Sequence, residues 1–529
     1  MTTAPNNPCF VLELALRVDS EGRKRLERDF EFGRQLVNAT LGTVLGLRMQ
    51  MKQSPEWKSA CALPKGKDRT MAFMELSKRF GISSANDFEK ILKVHAKNSG
   101  RKAQLNSVIA QVLADNLYRA WASWLFDGKG KPRFKGKGHG LHCIRGKTNT
   151  TGISWKPERL AIRYAKKYYK VHIPKKDEYA HAAMKDGDNW RKAKYCSIVR
   201  RTIQGKIRYF AQILFEGYPP LKVIPAPDEN HLAIDPSLRN MTIVCSNGSV
   251  AKVETSPSIE DRSREIRKMQ RAMDRSRRAT NPENYEANGV VKKGAREWLK
   301  SKKYIQMQNE VADLKRRKTA SRKNCHGRLI NQILQSAGVI YVEKNSWKAM
   351  QRGRFGKSIG DGAPSEFISR LLNKAERADL KAVEVNPRNI KPTQRDLQNG
   401  HCTKHELWER RVRIGETDIF IDRDVAAAIN LLFHHPETGE RDAKGMETFL
   451  KALKPYWLDS SVMLEIKTAN RLSQHELRRV LRKGIPSVSV ERLNRKTFLN
   501  GACDAKSKKV CLCTLIGSEN LPHSETSSL

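Results

Sequence analysis

The fold is decided by the stretch His231-Leu-Ala-Ile-Asp-Pro-Ser-Leu-Arg-Asn240 and by the residues that follow it. Its apolar start predicts a strand, Met241–Cys245 predicts the hairpin partner, and Val250–Val253 predicts a third strand. Asn247-Gly248, between the second and third segments, is typical of a type I′ turn. The pattern therefore predicts three consecutive antiparallel strands, with Asp235 inside the first of them.

Four later segments extend this pattern. Gly338-Val-Ile-Tyr-Val-Glu343 is a short apolar run of the kind found in buried parallel strands. Glu366–Ala378 predicts a helix, Leu380–Val385 a strand, and Val425–Phe433 an alanine-rich helix. A long charged region at residues 259–334 precedes them. The order of three antiparallel strands, helix, strand, helix, strand and helix predicts an RNase H-like α/β domain into which the charged helices are inserted.

Three acidic residues lie where an apolar strand ends or a helix begins: Asp235, Glu343 and Asp424. Taken singly, each has an ordinary explanation as a turn residue, a surface charge or a helix N-cap. In an RNase H-like sheet, however, these three positions converge at one edge. Carboxylates placed there can bridge two Mg²⁺ ions about 4 Å apart and so support hydrolysis of a phosphodiester. Asp422 is the alternative for the third position, and Asp424 is preferred because it directly precedes the apolar helix.

Composition indicates the kind of partner. The 529 residues include 100 Lys and Arg against 56 Asp and Glu, which gives a formal net charge of +44. Such an excess predicts binding to a polyanion, and nucleic acid is favoured because phosphates neutralised by Lys and Arg release counterions. The sequence contains no run of about 18 apolar residues, and we expect neither a membrane span nor a signal peptide.

The first 226 residues predict two further domains. Apolar residues at helical spacing predict a small helical domain at residues 18–125, with helices at Ser20–Met51, Met71–Arg79, Ala85–Lys97 and Leu105–Leu125. Short strands between turn residues predict a β domain formed by residues 1–17 and 126–226, with strands at Cys9–Arg17, Gly152–Trp155, Arg159–Arg163, Tyr169–Ile173, Lys194–Arg201 and Lys206–Phe215. Prolines between residues 219 and 227 mark the boundary to the next domain.

Two basic segments are candidates for contact with nucleic acid. The glycine-rich loop Gly128–Gly138 carries Arg133 and Lys135, and it suits either a phosphate backbone or a solvated linker. The start of the charged region is crowded with arginines, among them Arg264, Arg267 and Arg271. Like charges do not pair within one helix, so a helix that follows a phosphate backbone is favoured over an ordinary solvated face.

The ten cysteines are scattered along the chain, and no CxxC pair occurs. For a protein of this size they predict reduced thiols rather than disulfides. Cys503, Cys511 and Cys513 are a weak candidate for zinc, because tetrahedral zinc sites usually take paired ligands at wider spacing. No zinc is therefore expected.

The acidic motifs, taken together, resemble those of the RuvC-type nucleases of the transposon-encoded TnpB family and its descendants, the compact type V CRISPR effectors. The family's first motif is similar to Ala233–Asn240, its second to Ile340–Glu343 and its third to Asp422–Leu431. The basic stretches Arg322–His326 and Lys131–Lys135 also fit. The likeness spans roughly residues 8–434.

The resemblance implies an RNA-guided DNA endonuclease in the prokaryotic cytoplasm, with a structured guide RNA and target DNA as partners and no membrane. Asp235, Glu343 and Asp424 would hold two Mg²⁺ ions, or Mn²⁺ in their place, and would carry out catalysis. Further residues are expected to contact nucleic acid: Arg133, Lys135, Arg264, Arg267, Arg271, Arg322 and His326.

The implied fold is a multidomain α+β protein. A wedge-like β-barrel domain would comprise residues 1–17 and 126–226, and a helical recognition lobe would comprise residues 18–125. The RuvC-like nuclease domain would follow at residues 227–437, with a basic helical insert at 259–334 and a degenerate zinc-ribbon region at 386–421. Residues 438–529 would form a C-terminal extension that is partly disordered.

The chain departs from the family pattern in three respects. Ser237 replaces the usual Gly two residues after the first Asp, and Ala426 replaces the usual Asn two residues after the third. Cys402 alone remains of the ribbon's cysteines. One alternative is therefore a guided DNA-binding repressor that does not cleave. The other is an unguided RNase H-like nuclease or strand transferase. A guide RNA would come from either a transposon end or a CRISPR array.

Overall fold

The computed structural model describes residues 8–453 apart from 138–139, 224, 226–228, 257–258, 295–296, 407 and 418–419. The chain forms two compact units, with the boundary after Pro220. This boundary lies inside the proline-containing segment at residues 219–227. Among the described residues, no helix is both long enough and apolar enough to cross a membrane.

The first unit mixes helices and strands. Its elements are β1 (Cys9–Leu16), α1 (Ser20–Gln53), α2 (Pro55–Ala62), α3 (Lys67–Arg79), α4 (Ala85–Asn98), α5 (Ser107–Phe126), β2 (Cys143–Arg145), β3 (Ile153–Lys156), β4 (Ala161–Tyr164), β5 (Lys167–His172), α6 (Glu178–Met184), β6 (Lys185–Asp186), β7 (Asn189–Trp190), β8 (Ala193–Ile203) and β9 (Lys206–Glu216). The main sheet has the order β2-β8-β9-β1-β5-β4-β3, and β6 pairs with β7 separately.

Helix α2 is an element that the sequence pattern did not predict. It begins with a capping interaction, because the Ser54 hydroxyl accepts a hydrogen bond from the backbone N–H of Trp57, and Pro55 occupies its first turn. With 8 residues, it is too short to show a clear helical period. Capping chemistry at Ser54-Pro55 was the signal that could have indicated it.

The helices and the sheet of the first unit share one hydrophobic core. Phe30 on α1, Phe88 on α4, Trp121 on α5 and Phe215 on β9 all belong to the same buried cluster. Polar contacts strengthen the junction, since the buried Tyr164 hydroxyl donates a 2.8 Å hydrogen bond to the Asp29 carboxylate. The predicted helical and β segments are therefore packed into one body.

The glycine-rich basic loop is fastened to helix α1 through its backbone. The Asn38 side chain both donates to the Lys135 carbonyl (2.9 Å) and accepts from the Lys135 N–H (2.8 Å). The Arg34 guanidinium donates to the same carbonyl at 3.0 Å. Arg133 and Phe134 remain exposed, so the loop is positioned by the protein while its own basic side chain faces solvent.

The second unit contains the predicted sheet. Its elements are β10 (His231–Pro236), β11 (Asn240–Cys245), β12 (Val250–Glu254), α7 (Ile259–Thr280), α8 (Lys302–Leu334), β13 (Val339–Glu343), α9 (Trp347–Gln351), α10 (Gly356–Gly362), α11 (Pro364–Arg377), β14 (Lys381–Val385), α12 (Pro387–Ile390), β15 (Arg411–Arg413), β16 (Phe420–Asp422), α13 (Arg423–Leu432) and α14 (Ala443–Leu453). The mixed α and β character is confirmed, whereas the RNase H-like assignment stays a prediction.

The sheet of the second unit has the order β12-β11-β10-β13-β14. Strands β10, β11 and β12 pair antiparallel, while β13 is parallel to both β10 and β14. The predicted sequence of strands is therefore present. The hairpin between β11 and β12 differs in detail from the type I′ prediction: among the residues of this loop only Gly248 has a positive φ, of 85°. The hydrogen bonds from Gly248 N–H to Cys245 (3.0 Å) and from Cys245 N–H to Ser249 (2.8 Å) instead form a type I turn with a bulge.

The two faces of this sheet pack against different helices. Ile234 and Val342 point to one face, in a core with residues of α8 and α11. Ala233 and Val244 point to the other face, in a core with residues of α13 and α14. Side chains alternate along a strand, so Asp235 lies on the α13 face with Ala233.

The structure changes three predicted segments. The charged region is divided into α7 and α8, which are separated by residues 281–301. Helix α13 begins at Arg423, two residues earlier than predicted. Part of the predicted extension is helix α14, whose Met446 and Phe449 are buried in the α13 core. Residues 463–483, whose sequence favours one or two further helices, and the cysteines at 503, 511 and 513 lie outside the described residues.

Candidate active site

A row of side chains crosses four neighbouring strands on the α13 face. The strand register pairs Asp235 with Thr242, and Thr242 with Lys252. On the other side of β10, Ile234 pairs with Val342, which places Glu343 beside Asp235 at the next position. Paired residues of neighbouring strands point to the same face, so Lys252, Thr242, Asp235 and Glu343 line up in that order.

Asp235 and Glu343 form a buried carboxyl pair. Their residues are 7% and 8% exposed, and their side chains are hydrogen-bonded to each other. Burial, followed by the charge of Glu343, raises the pKa of Asp235 well above its usual range. Burial also raises the pKa of Glu343, although hydrogen bonds from Asp235 and Asn345 oppose this. Two carboxyls in this arrangement share a proton unless a cation takes its place.

Asp424 lies near this pair at the start of α13, but it does not cap the helix. Asp422 is the N-cap: its carboxylate accepts hydrogen bonds from the backbone N–H groups of Asp424 (2.9 Å) and Val425 (3.3 Å). The N-cap explanation considered for Asp424 therefore applies to Asp422 instead. The charge of Asp424 acts on both Asp235 and Glu343 and raises the pKa of each.

Lys252 completes the cluster, and the sequence analysis missed it. Its ammonium lies 2.7 Å from Asp424 Oδ2 and 3.2 Å from Asp422 Oδ2, and its side chain is only 11% exposed. Burial favours the neutral amine, but the carboxylates of Asp422 and Asp424 outweigh it and raise the pKa of Lys252. The sequence did contain a signal for Lys252. It lies two residues after Val250, so both side chains point to the same buried face of β12, two strands away from Asp235 on β10.

The donor set suits a hard divalent cation. Carboxylate oxygens are the ligands that Mg²⁺ and Mn²⁺ prefer, and a cation between Asp235 and Glu343 would replace their shared proton. In the described part of the chain, however, no three of Asp, Glu, His and Cys are grouped so that they could all hold one ion. The carboxylates form two pairs instead: Asp235 with Glu343, and Asp422 with Asp424. The residues therefore fit a cation at the first pair, whereas Lys252 neutralises the second.

The predicted arginines of α7 line grooves in the second unit. Arg264 and Arg267 line a groove of about 220 Å³ together with Arg239, Ser263, Lys357 and Asp361. Arg271 lines an adjoining groove with Arg264, Arg267, Lys268 and Arg275. The second groove has no acidic side chain among these lining residues, so it presents positive charge suited to phosphates.

Two other predicted contact residues are engaged by neighbouring parts of the protein: Arg322 is half-buried and His326 is fully buried. Arg322 donates to the Glu366 carboxylate and to the Gly360 carbonyl, both at 3.0 Å. His326 is fully buried and lies edge-on to Phe367, with ring centroids 5.3 Å apart. Burial lowers the pKa of His326 to about 4. This placement does not suit the predicted contact of His326 with nucleic acid.

The degenerate ribbon segment is held by packing and hydrogen bonds. Ile390, Leu397 and Ile414 are buried in the same core as α13. From α13, the buried Asn430 carboxamide donates to the carbonyls of Pro392 (2.9 Å) and Arg395 (2.7 Å). These contacts hold the segment onto the helix whose first turn carries Asp424.

The chain has only distant similarity to known proteins. No protein-family model and no curated protein matches the chain. A structure described as "Cryo-EM structure of the Cas12f1-sgRNA-target DNA complex" has 12% identity over 80% of this chain and 98% of that chain, with a TM-score of 0.40. Another, "Cryo-EM structure of CRISPR-Cas12f Ternary Complex", has 14% identity over 80% and 86%, with a TM-score of 0.26. TM-scores this low do not establish a shared fold, and no functional conclusion follows from them.

Proposed function

We propose that this chain is a nuclease that hydrolyses phosphodiester bonds of DNA with the help of divalent cations. The observation that supports this most directly is the buried pair of Asp235 and Glu343, with Asp424 acting on both from the start of α13. Carboxyls buried together destabilise a metal-free protein. Their arrangement is accounted for if a cation binds there.

The roles of the residues follow from their positions. Asp235 and Glu343 would hold a Mg²⁺ or Mn²⁺ ion, and Asp424 would add its charge from the helix side. When bound, such an ion activates water and stabilises charge on a phosphate oxygen. Asp422 fixes the start of α13 by capping it. Asn345, hydrogen-bonded to Glu343, would help to orient that carboxyl.

Nucleic acid would be bound through the basic face of α7. Arg264, Arg267 and Arg271 lie along one helix. They line two adjoining grooves, which share Arg264 and Arg267. Their fixed charge suits a phosphate backbone without preference for base sequence. The net charge of +44 is consistent with more than one nucleic-acid strand as partner.

We further propose that a structured guide RNA directs the protein to DNA, as the resemblance of the acidic motifs to TnpB and compact type V effectors implies. Guide pairing would then select the sequence, while the protein would recognise duplex shape and a short flanking motif. The second candidate is a guided DNA-binding protein that does not cleave. The ion pair of Lys252 with Asp424, 2.7 Å long, is the observation that favours it.

The test is to express the full chain with its flanking genomic DNA and to sequence the RNA that co-purifies. A discrete structured RNA whose variable end matches DNA supports guided targeting. Only random cellular RNA would favour the unguided nuclease. Nicking of a matching plasmid in Mg²⁺, absent in Asp235→Asn, supports cleavage. Sequence-specific binding with no Asp235-dependent nicking would favour the repressor.

A further inference from the structure

We propose that Lys252 is a built-in counter-ion that takes the position of a second divalent cation in the acidic cluster. The Asp235–Glu343 pair would then receive one divalent ion, while the Asp422–Asp424 pair keeps the lysine ammonium. This inference rests on the proposed metal-dependent function. It specifies the number of ions that the site takes and names the residue that sets this number.

The first support is the geometry of the lysine. Its Nζ contacts both acidic residues of the second pair: Asp424 Oδ2 at 2.7 Å, and the two Asp422 carboxylate oxygens at 3.2 and 3.3 Å. The side chains of Lys252, Asp422 and Asp424 are 11%, 20% and 16% exposed. A surface lysine would exchange such contacts with water, whereas this one is enclosed with its partners.

The second support is the register of the sheet. Lys252 and Asp235 are separated along their row by Thr242 of the strand between them. Thr242 is fully buried, and its hydroxyl has no hydrogen-bond partner among the described residues. The ammonium and the carboxyl pair therefore occupy opposite ends of one short row, with a small polar side chain between them. This spacing allows the lysine ammonium at one end of the row and a divalent ion at the other.

The third support is electrostatic. A divalent ion ligated by Asp424 would lie beside the Lys252 ammonium, and like charges at such short range repel strongly in a buried site. At the first pair, the Lys252 ammonium acts on Asp235 only weakly, after burial, Glu343 and Asp424. An ion there replaces the proton that the two carboxyls share. Divalent ions should therefore fill the first pair readily and the second pair only when the ammonium is removed.

The experiment counts Mn²⁺ ions bound to the full chain, freed of nucleic acid, by the electron paramagnetic resonance signal of unbound Mn²⁺. Ions bound elsewhere are subtracted with the double variant Asp235→Asn/Asp424→Asn. We expect one ion for the wild-type protein and two for Lys252→Met. Lys252→Arg, which keeps the positive charge, should bind one. Lys252→Gln provides the same count if the methionine variant does not fold.

A second readout separates this role from a purely structural one. Without divalent ions, Lys252→Met should melt at a lower temperature than the wild type, because Asp422 and Asp424 lose their counter-ion. Added Mg²⁺ should raise the melting temperature of Lys252→Met more than that of the wild type. A structural lysine would give a loss of stability that Mg²⁺ does not restore.

Two results would overturn the inference. The first is a wild-type count of two ions; the second is a count that is the same in Lys252→Met and in the wild type. If Asp235-dependent plasmid nicking occurs together with either result, the proposed nuclease function stands and only the role of Lys252 fails. If neither protein binds an Asp235-dependent ion and no nicking occurs, both proposals fail.

Discussion

The carboxyl groups of Asp235 and Glu343 are hydrogen-bonded to each other at the ends of two neighbouring parallel strands. Both residues are buried, and the charge of Asp424 adds to their mutual repulsion. Such a pair lowers stability when no cation is bound, because burying two carboxyls that share one proton costs more than their hydrogen bond returns. Its position at the strand ends is therefore accounted for by the proposed metal site rather than by folding.

Replacing Asp235 with Asn should abolish cleavage without unfolding the protein. We expect the rate of plasmid nicking in Mg²⁺ to fall by on the order of 1,000-fold, because a charge-stabilising group at the reacting centre is lost. In the absence of divalent ions the free energy of unfolding should increase by about 1–2 kcal/mol, because a buried carboxyl is replaced by a neutral carboxamide. Urea denaturation at pH 7 measures this second effect.

A matched control for that variant is Glu384→Gln on β14. Glu384 lies on the strand next to Glu343 but is exposed. It should keep the wild-type nicking rate and the wild-type urea midpoint. Equal loss of nicking in both variants would argue against a special role for Asp235.

Neutralising the arginines of α7 should weaken nucleic-acid binding and reduce its salt dependence. For Arg264→Gln/Arg267→Gln/Arg271→Gln, the slope of log affinity against log salt should decrease in magnitude by about 2–3, since about 0.9 is lost per phosphate contact on a duplex. Fluorescence anisotropy with a labelled duplex at several salt concentrations measures it. Arg322→Gln is the contrast: its guanidinium is engaged with Glu366 and Gly360, so the slope should stay unchanged while stability falls.

The buried histidine should make the protein sensitive to acid. The pKa of His326 is lowered to about 4 by burial and by the nearby Arg370, whereas an unfolded histidine titrates near 6.5. The unfolded chain therefore takes up the proton first, and stability is lost as pH falls from about 6.5 towards 4. Between pH 7 and pH 5, His326 should account for a loss on the order of 1–2 kcal/mol, so the total loss should be smaller by this amount in His326→Gln than in the wild type.

Urea denaturation at the two pH values provides the measurement for His326. The exposed His401 supplies the control, because His401→Gln should lose as much stability on acidification as the wild type. His434 is also buried, and its pKa is also lowered to about 4. Part of the acid sensitivity should therefore persist in His326→Gln. An unchanged pH dependence in that variant would contradict the assignment.

Asn430 should be important for holding the segment that leads to Asp422. Asn430→Ala removes two hydrogen bonds and leaves the carbonyls of Pro392 and Arg395 without this donor. We expect the free energy of unfolding to decrease by about 2–4 kcal/mol. The exposed Asn373 on α11, which hydrogen-bonds within its own helix, is the control. Asn373→Ala should change stability by less than about 0.5 kcal/mol.

Much of the second unit was predictable from local sequence. Apolar runs and turn residues indicated β10, β11 and β12, and the apolar run ending at Glu343 indicated a parallel strand. The type I′ assignment failed because Asn247 does not have the positive φ that this turn requires of both central residues. Helix α2 was missed because its 8 residues span little more than two turns.

The sequence by itself determined strands β10 to β14, helices α11 and α13, the positive charge, and the three acidic positions Asp235, Glu343 and Asp424. Only the tertiary structure decided which of them touch: Asp235 pairs with Glu343, whereas Asp424 pairs with Lys252. It also enclosed His326. The physical reason is the distance along the chain over which each kind of interaction acts. Periodicity and capping act within a few residues, whereas contacts between distant residues depend on strand register and on how a helix packs across the sheet.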